Sequence, residues 1–394
     1  MATTIAYITD FDVLNPVERN AHHPKAVGHR GRCFYASKSL VDDPFSVQYL
    51  CPLSRPSSLI PKVKWRFYRN VFQQQYIAWA EPSVGQSYAA QIKRRLSDLK
   101  SDVVMAPEIN LLAYLECDRP LVLWTDTPYA GLFKGYTDFS HLCQETLDHL
   151  TTLDRLTLQK CQLAIFPSIW AADVAIHTYQ VDPAKVKVVP FGANIECDRT
   201  LEDVKALIQA RSRQTCKLLF IGVDWVRKGG AVALNVAKQL HQSGMAVELT
   251  VLGCKPPASE FPLPDFVKPI GFLNKSTPQG LAEFNRYLAD AHFLIVPSKA
   301  ETYGNVFCEA NSFGVPCLAT NAGGIATIIR DDLNGKAFAP EAPPEAYCAY
   351  IQSRFQPEST YEALALSAFH EYQTRFDWSA SGRAVRQLLT DLVI

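Results

Sequence analysis

The chain has no excess charge of either sign: its 394 residues include 39 Lys and Arg and 39 Asp and Glu. Without a basic surplus it does not have the composition of a general nucleic-acid binder. It also lacks any apolar run near the ~20 residues that a membrane-spanning helix needs. The opening MATTIAYITDFDV has no basic stretch leading into a long apolar one, so no secretory signal is expected. The 11 cysteines are odd in number and form no CxxC pair. They suit free thiols in a reducing cytosol better than a disulfide framework or a zinc site. The nine histidines show no HxxxH spacing, so no metal site is expected. Internal repeats and low-complexity linkers are absent as well. These absences leave a soluble cytoplasmic protein without a metal, a nucleic-acid partner or a disulfide scaffold.

What the sequence does have is alternation. Hydrophobic residues make up 48% and charged residues 20%, and the length suits two domains of roughly 150–200 residues. Short β-branched or apolar runs predict strands over residues 4–9, 47–50, 102–106, 121–124, 163–167 and 187–190, then over 217–222, 247–253, 293–297 and 316–320. Helix-length amphipathic segments separate most of them. Near-continuous apolar strands with helical crossovers imply parallel sheets buried on both faces. Two such series imply two doubly wound α/β units, each with its ligand crevice at the carboxyl ends of its strands. The boundary is expected near residue 196, with a first domain over 1–196 and a second over 197–377. A terminal amphipathic helix over about 378–394 is read as able to pack back on the first.

The most informative stretch is FLIVPSKAETYGNVFCEANSFGVPCLATNAGG, residues 293–324. It reads as strand, loop, helix and strand, with the loop at the carboxyl edge of the sheet. Gly314 stands at a helix C′ position with Pro316 as a stop signal. The first amides after Gly304 open a helix towards that crevice, a seat for a diphosphate. Glu301 lies in the loop and Glu309, eight residues on, lies in the helix. A second stretch, LLFIGVDWVRKGG over 218–230, places Arg227 and Lys228 together at a helix entrance, where two cations can neutralise a departing diphosphate.

Two Glu eight apart form a weak signal alone, but with Gly304, Gly314-Val-Pro and Gly323-Gly324 around them the segment resembles the retaining glycosyltransferases of family 4. That resemblance implies the GT-B architecture: two Rossmann-like doubly wound domains facing a cleft, the second holding the nucleotide sugar and the first the acceptor. It implies that Glu301 contacts the donor sugar, Glu309 the ribose, and the amides of Gly304, Asn305 and Val306 the pyrophosphate. Lys228 matches the family's phosphate lysine. Val223 stands where the family commonly has Arg, so Arg227 is assigned that part. Gly222, Tyr303 and Gly271-Phe272-Leu273 are placed on the donor side, the last as the loop that reads the base. The stretch 189–194, VPFGAN, is similar to the family's boundary motif. In the first half, Gly28 and Gly31 are placed in a turn before a helix starting near Phe34, on the acceptor side. Asp126, after the strand ending at Trp124, is a catalytic candidate where many members have His.

The implied activity is transfer of a hexose from a nucleotide-diphosphate sugar, UDP- or GDP-linked, to an acceptor hydroxyl on a sugar, sugar phosphate, lipid or polysaccharide. It proceeds with retention and without a cofactor or metal. The alternatives are an inactive sugar-nucleotide-binding homologue and a GT-B-like epimerase or phosphorylase. One further segment stands apart. Trp65, Tyr68, Phe72, Tyr76 and Trp79 recur at three- or four-residue spacing and predict one aromatic helix face. Around it, from Arg55 to Lys100, cations far outnumber the two acids, Glu81 and Asp98. Either the stripe packs on the first sheet, or Lys62, Lys64, Arg66 and Arg69 support peripheral contact with an anionic membrane.

Overall fold

The structure, a computed structural model, describes residues 3–15, 24–56 and 59–393. The strands are β1 (Thr3–Ile8), β2 (Phe45–Leu50), β3 (Val103–Ala106), β4 (Leu121–Trp124), β5 (Leu163–Phe166) and β6 (Val186–Val188). They continue with β7 (Cys216–Ile221), β8 (Val247–Leu252), β9 (Val267–Gly271), β10 (Phe293–Val296), β11 (Cys317–Thr320) and β12 (Gly335–Phe338). The first six form one sheet in the order β2-β1-β3-β4-β5-β6, the second six another in the order β12-β11-β10-β7-β8-β9. Every pairing in both sheets is parallel.

The chain divides into two compact units. One comprises Met1–Arg19, Cys33–Pro190 and Ser381–Ile394, the other Asn20–Arg32 and Phe191–Ala380. In the first unit β3, β4 and β5 are buried at every position, which is why they read as unbroken apolar runs. The helix Pro82–Ser97 covers this sheet with Val84, Tyr88, Ile92 and Leu96, a four-residue repeat that keeps one face inward. The last helix, Trp378–Val393, brings Ser381 Oγ to the carbonyl of Pro190 at 2.7 Å. Its Arg386 donates to Ser39 O at 2.5 Å and to Asp42 Oδ2 at 2.6 Å.

In the second unit the helix Leu201–Ala210 starts at a capping box, the Thr200 hydroxyl accepting from Asp203 N while the Asp203 carboxylate accepts from Thr200 N. β10 and β11 are buried throughout. Ten strands lie within two residues of their expected bounds. The two that were not expected, β9 and β12, are the outer strands of the second sheet. β12, GKAF, is four residues long and includes a glycine and a lysine, so no apolar run marks it. β9, VKPIG, is exposed at its three central residues and contains a proline, which a central strand excludes.

Two other expectations are corrected. Gly28 and Gly31 do not form a turn before a helix near Phe34; both lie inside one helix, Pro24–Ser39. Each glycine costs a helix about 1 kcal/mol relative to alanine. Tertiary contacts within the second unit offset this: Asn194 Nδ2 donates to Gly28 O at 2.9 Å, and the buried Arg32 guanidinium lies 4.9 Å from the Phe191 ring centre. The aromatic residues from Trp65 to Trp79 do not share one helix either. A helix, Leu59–Phe67, runs into a wider π-helical turn, Tyr68–Phe72, which stops at Gln73 in the left-handed region (φ 57°). Periodicity did not register this stop, because a polar Gln bears no mark of its backbone conformation. The stripe is divided in its packing: Trp65 and Phe72 are exposed, whereas Tyr76 is buried and Trp79 packs against the core of the first unit.

Candidate active site at the edge of the second sheet

The second sheet reverses direction between β7 and β10. From β7 the chain proceeds outward through β8 and β9, then returns to β10 on the other side of β7 and proceeds through β11 and β12. Such a switch point leaves a crevice at the carboxyl ends of the two adjacent strands. β7 and β10 themselves pair only at Phe293↔Leu218 and Leu294↔Leu219. Two loops leave the sheet at that point, one carrying Asp224 to Gly229 and the other Ser298 to Gly304.

The first loop organises itself. The Asp224 carboxylate accepts from Arg227 N at 3.0 Å, and the Asp224 carbonyl accepts from Lys228 N at 3.0 Å. This short turn presents two neighbouring cations. Lys299 N donates to Arg227 O at 2.7 Å, which ties the two loops together. Lys228 Nζ then donates to Glu301 Oε2, and the Arg227 guanidinium lies 3.8 Å from the same oxygen while donating to Ala300 O at 3.0 Å. Lys228 and Glu301 are both buried. A buried charge pair is retained at a cost in desolvation unless its partners are well placed.

Two glycines set the Glu301 backbone. At Gly304 φ is +100°, and a Cβ would fall 2.7 Å from the Phe307 ring and 3.3 Å from Glu301 Cγ. At Gly323 φ is +57°, a Cβ would fall 2.0 Å from Glu301 O, and the next amide, Gly324 N, donates to that oxygen at 3.0 Å. Only glycine admits both the dihedral and the approach. Asn305 opens the helix Asn305–Asn311, and its Nδ2 donates to Gly192 O at 3.2 Å. Val306 follows it, half-buried.

Glu309, inside that helix, is buried and accepts from Lys275 Nζ at 2.7 Å. Lys275 lies four residues after Gly271, the last residue of β9, and nothing in the sequence around it marks it as the partner of a glutamate 34 residues later. Its Nζ is also 4.6 Å from the Phe284 ring centre. On that loop Phe272 is exposed and Leu273 half-buried. Gly222, at the end of β7, underlies Lys228, whose Cγ would be 2.8 Å from a Cβ placed there. Tyr303 is corrected. Its ring is buried and its hydroxyl donates to Phe191 O at 2.7 Å, so it holds the loop from within and does not face a ligand. Cys308, beside it, is buried, and burial pushes its thiol up to about 12, away from the reactive thiolate.

The structure therefore joins Arg227, Lys228 and Glu301 in one cluster and pairs Glu309 with Lys275, all in the second unit. Asp126 follows β4 in the first unit, half-buried between the buried Thr125 and Thr127. Gly28 and Gly31 occupy the helix already described. Among the described residues, one group has metal-ligand spacing: Glu81, Glu145 and His149 of the first unit. Lys64 Nζ already bonds Glu81 Oε1 at 2.8 Å and Glu145 Oε1 at 2.5 Å. Burial raises the Glu81 carboxyl, but hydrogen bonds from Lys64 and Tyr76 outweigh it and hold the group below the ordinary value. That acid is already served by a cation of its own.

Two six-stranded parallel sheets of this order define the GT-B fold, and solved structures agree along nearly the full length. Sucrose-phosphate synthase from Thermosynechococcus elongatus is 16% identical with a TM-score of 0.70, covering 99% of each chain. The Anabaena protein HepE, solved in complex with UDP, is 16% identical with a TM-score of 0.63, covering 99% of this chain and 100% of that one. Residues 215–356 match the family described as glycosyl transferases group 1, and the whole switch-point cluster lies within the matched segment. Among curated proteins, the D-inositol 3-phosphate glycosyltransferase of Salinispora arenicola (strain CNS-205) is 25% identical over 224 residues, 52% of this chain and 49% of that protein. The chain spans about half the length of the curated relatives it matches.

Proposed function

We propose that the chain is a retaining glycosyltransferase of the family 4 kind, moving a hexose from a nucleoside-diphosphate sugar to an acceptor hydroxyl. The observation that carries this reading is the Arg227–Lys228–Glu301 cluster at the switch point of a glycosyl transferases group 1 domain. Breaking an anomeric C–O bond leaves charge on the departing diphosphate, and pre-placed cations stabilise that charge more than they stabilise the bound donor. Lys228 and Arg227 supply two such cations, so the scheme needs no metal. The amides that open the helix at Asn305 add hydrogen-bond donors for the same phosphates.

Glu301, held at its backbone by Gly324 N, accepts from hexose hydroxyls and fixes the ring so that the acceptor oxygen arrives on the leaving-group face. Lys228 then divides its attention between this carboxylate and the phosphate. Glu309 accepts from ribose hydroxyls, which share it with Lys275. UDP is favoured as the nucleotide because HepE was solved with UDP. An inositol phosphate heads the acceptor trials because the curated relative is named for one.

The test is a direct assay. The protein is incubated with UDP- and GDP-sugars, with and without a panel of hydroxyl acceptors, in the presence of EDTA. Free nucleoside diphosphate is expected only when both substrates are present, and NMR of the product is expected to show the donor's anomeric configuration. Inversion, full dependence on added divalent cation, or unchanged turnover in Glu301→Gln would overturn the corresponding part of the reading.

A further inference from the structure

A helix on the surface of a soluble protein turns its apolar stripe inward. The segment 59–72 of the first unit does the reverse. Leu59, Val63, Phe67 and Val71, spaced four apart, share one face, and with Ile60 and Phe72 they are between 51% and 75% exposed. The rings of Phe67 and Phe72 meet at 5.4 Å, so the patch is continuous across the junction of helix and π-helical turn. The inward face carries Pro61, which is buried, and two polar anchors: Lys64 is held by Glu81 and Glu145, and the Tyr68 hydroxyl donates to Glu145 Oε2 at 3.1 Å. The element is thus pinned to its unit by ion pairs and leaves its large apolar side chains outward.

Cations border that patch. Lys62 and Arg66, one turn apart, are exposed, and so is Arg69, whose guanidinium lies 4.9 Å from the exposed Trp65 ring. From Leu59 to Ala80 the sequence has no Asp or Glu. No helix among the described residues is long and apolar enough to cross a membrane.

We infer that this face docks on an anionic lipid bilayer, lying in the headgroup plane with Val63, Phe67, Val71 and Phe72 in the acyl boundary and Lys62, Arg66 and Arg69 on lipid phosphates. An apolar stripe edged with cations, short and without acids, is the pattern of an interfacial helix. A second copy of the chain is a poor occupant, because a two-fold contact sets the same patch against itself and brings these cations together. Lys64 takes no part, since its charge is spent on Glu81 and Glu145. The inference stands apart from the proposed reaction and needs no nucleotide sugar to test.

The experiment is flotation with vesicles of phosphatidylcholine alone and of phosphatidylcholine with phosphatidylglycerol, at low and high salt. The wild type is expected to float with the anionic vesicles at low salt and much less with the neutral ones. Lys62→Glu/Arg66→Glu/Arg69→Glu should bind about 100-fold more weakly, and Val63→Asp/Phe67→Asp should lose flotation while keeping the wild-type melting temperature. Three results overturn the inference: no flotation of the wild type, equal flotation with both vesicle types, or undiminished flotation of either variant. An acidic protein partner in place of lipid would show as the first of these.

Discussion

Each unit pairs a lysine with glutamate, half-buried in the first and buried in the second, and the two arrangements do different work. In the first unit Lys64 bridges Glu81 and Glu145, which lie just before or within the first turns of two helices, and the bridge fastens a surface element. In the second, Lys228 meets Glu301 where two strands part at a sheet reversal, with Arg227 close to the same oxygen. The pairing chemistry is alike; the address differs. A lysine–glutamate pair is therefore weak evidence of catalysis by itself, and its place at the carboxyl ends of parallel strands is what marks the second one as the candidate site.

The sharpest way to break this comparison is to remove each lysine. Lys228→Ala is expected to lower kcat by about 10²–10³, the loss seen when one transition-state donor is removed. Lys64→Ala should leave kcat within about twofold and lower the melting temperature instead, since it strands two carboxylates. Steady-state kinetics and thermal melts on the same preparations decide it; equal loss of turnover in both variants would erase the distinction.

The next contrast is pH. In the first unit burial lifts the Asp154 carboxyl to about 7, against hydrogen bonds from the Tyr179 hydroxyl and the amides of Tyr129 and Ala130. A folded value above the unfolded one means that this contribution is complete below about 4 and is lost as pH rises towards 7. In the second unit burial, aided by the Arg211 charge, depresses His292 to about 4, while its ring nitrogens bond Lys217 N and Ser212 O. A depressed histidine contributes fully above about 6.5 and loses its contribution as pH falls towards 4. Hydrogen exchange resolved by unit should show protection falling in the first and rising in the second between pH 4 and 6.5, by a few kcal/mol at most. Asp154→Asn and His292→Gln should each flatten one slope and leave the other.

The smallest contrast lies between glycines. Gly323→Ala forces a Cβ against Glu301 O and should cost about 1–3 kcal/mol, with loss of turnover as the Glu301 backbone shifts. Gly28→Ala places its methyl in open space within a helix and should stabilise by up to about 1 kcal/mol. Chemical denaturation measures both.

Much of this was legible before folding. The central strands announced themselves as apolar runs because helices cover both their faces, and Glu301, Glu309 and Lys228 stood out through the glycines and prolines around them. Strands β9 and β12 stayed hidden, since exposure and a proline break the pattern in β9 and the four residues of β12 include a glycine and a lysine. Lys275 was hidden too, because nothing local marks a lysine as the partner of a glutamate 34 residues later. Tyr303 showed the opposite failure: its place in the motif suggested a ligand contact, and only packing revealed a hydroxyl committed to Phe191 O.

The amino-acid order by itself determined the alternation of strand and helix, the glycines that permit left-handed turns beside Glu301, and the presence of a basic, acid-free aromatic segment. Those properties depend on side-chain chemistry within a turn or two of chain. Tertiary structure decided that residues 228 and 301 meet, because the sheet reverses between the strands before them. It also decided that the segment 59–72 turns its apolar side outward, because Lys64 and Tyr68 find Glu145 beneath it and local periodicity does not encode which face the rest of the protein will meet.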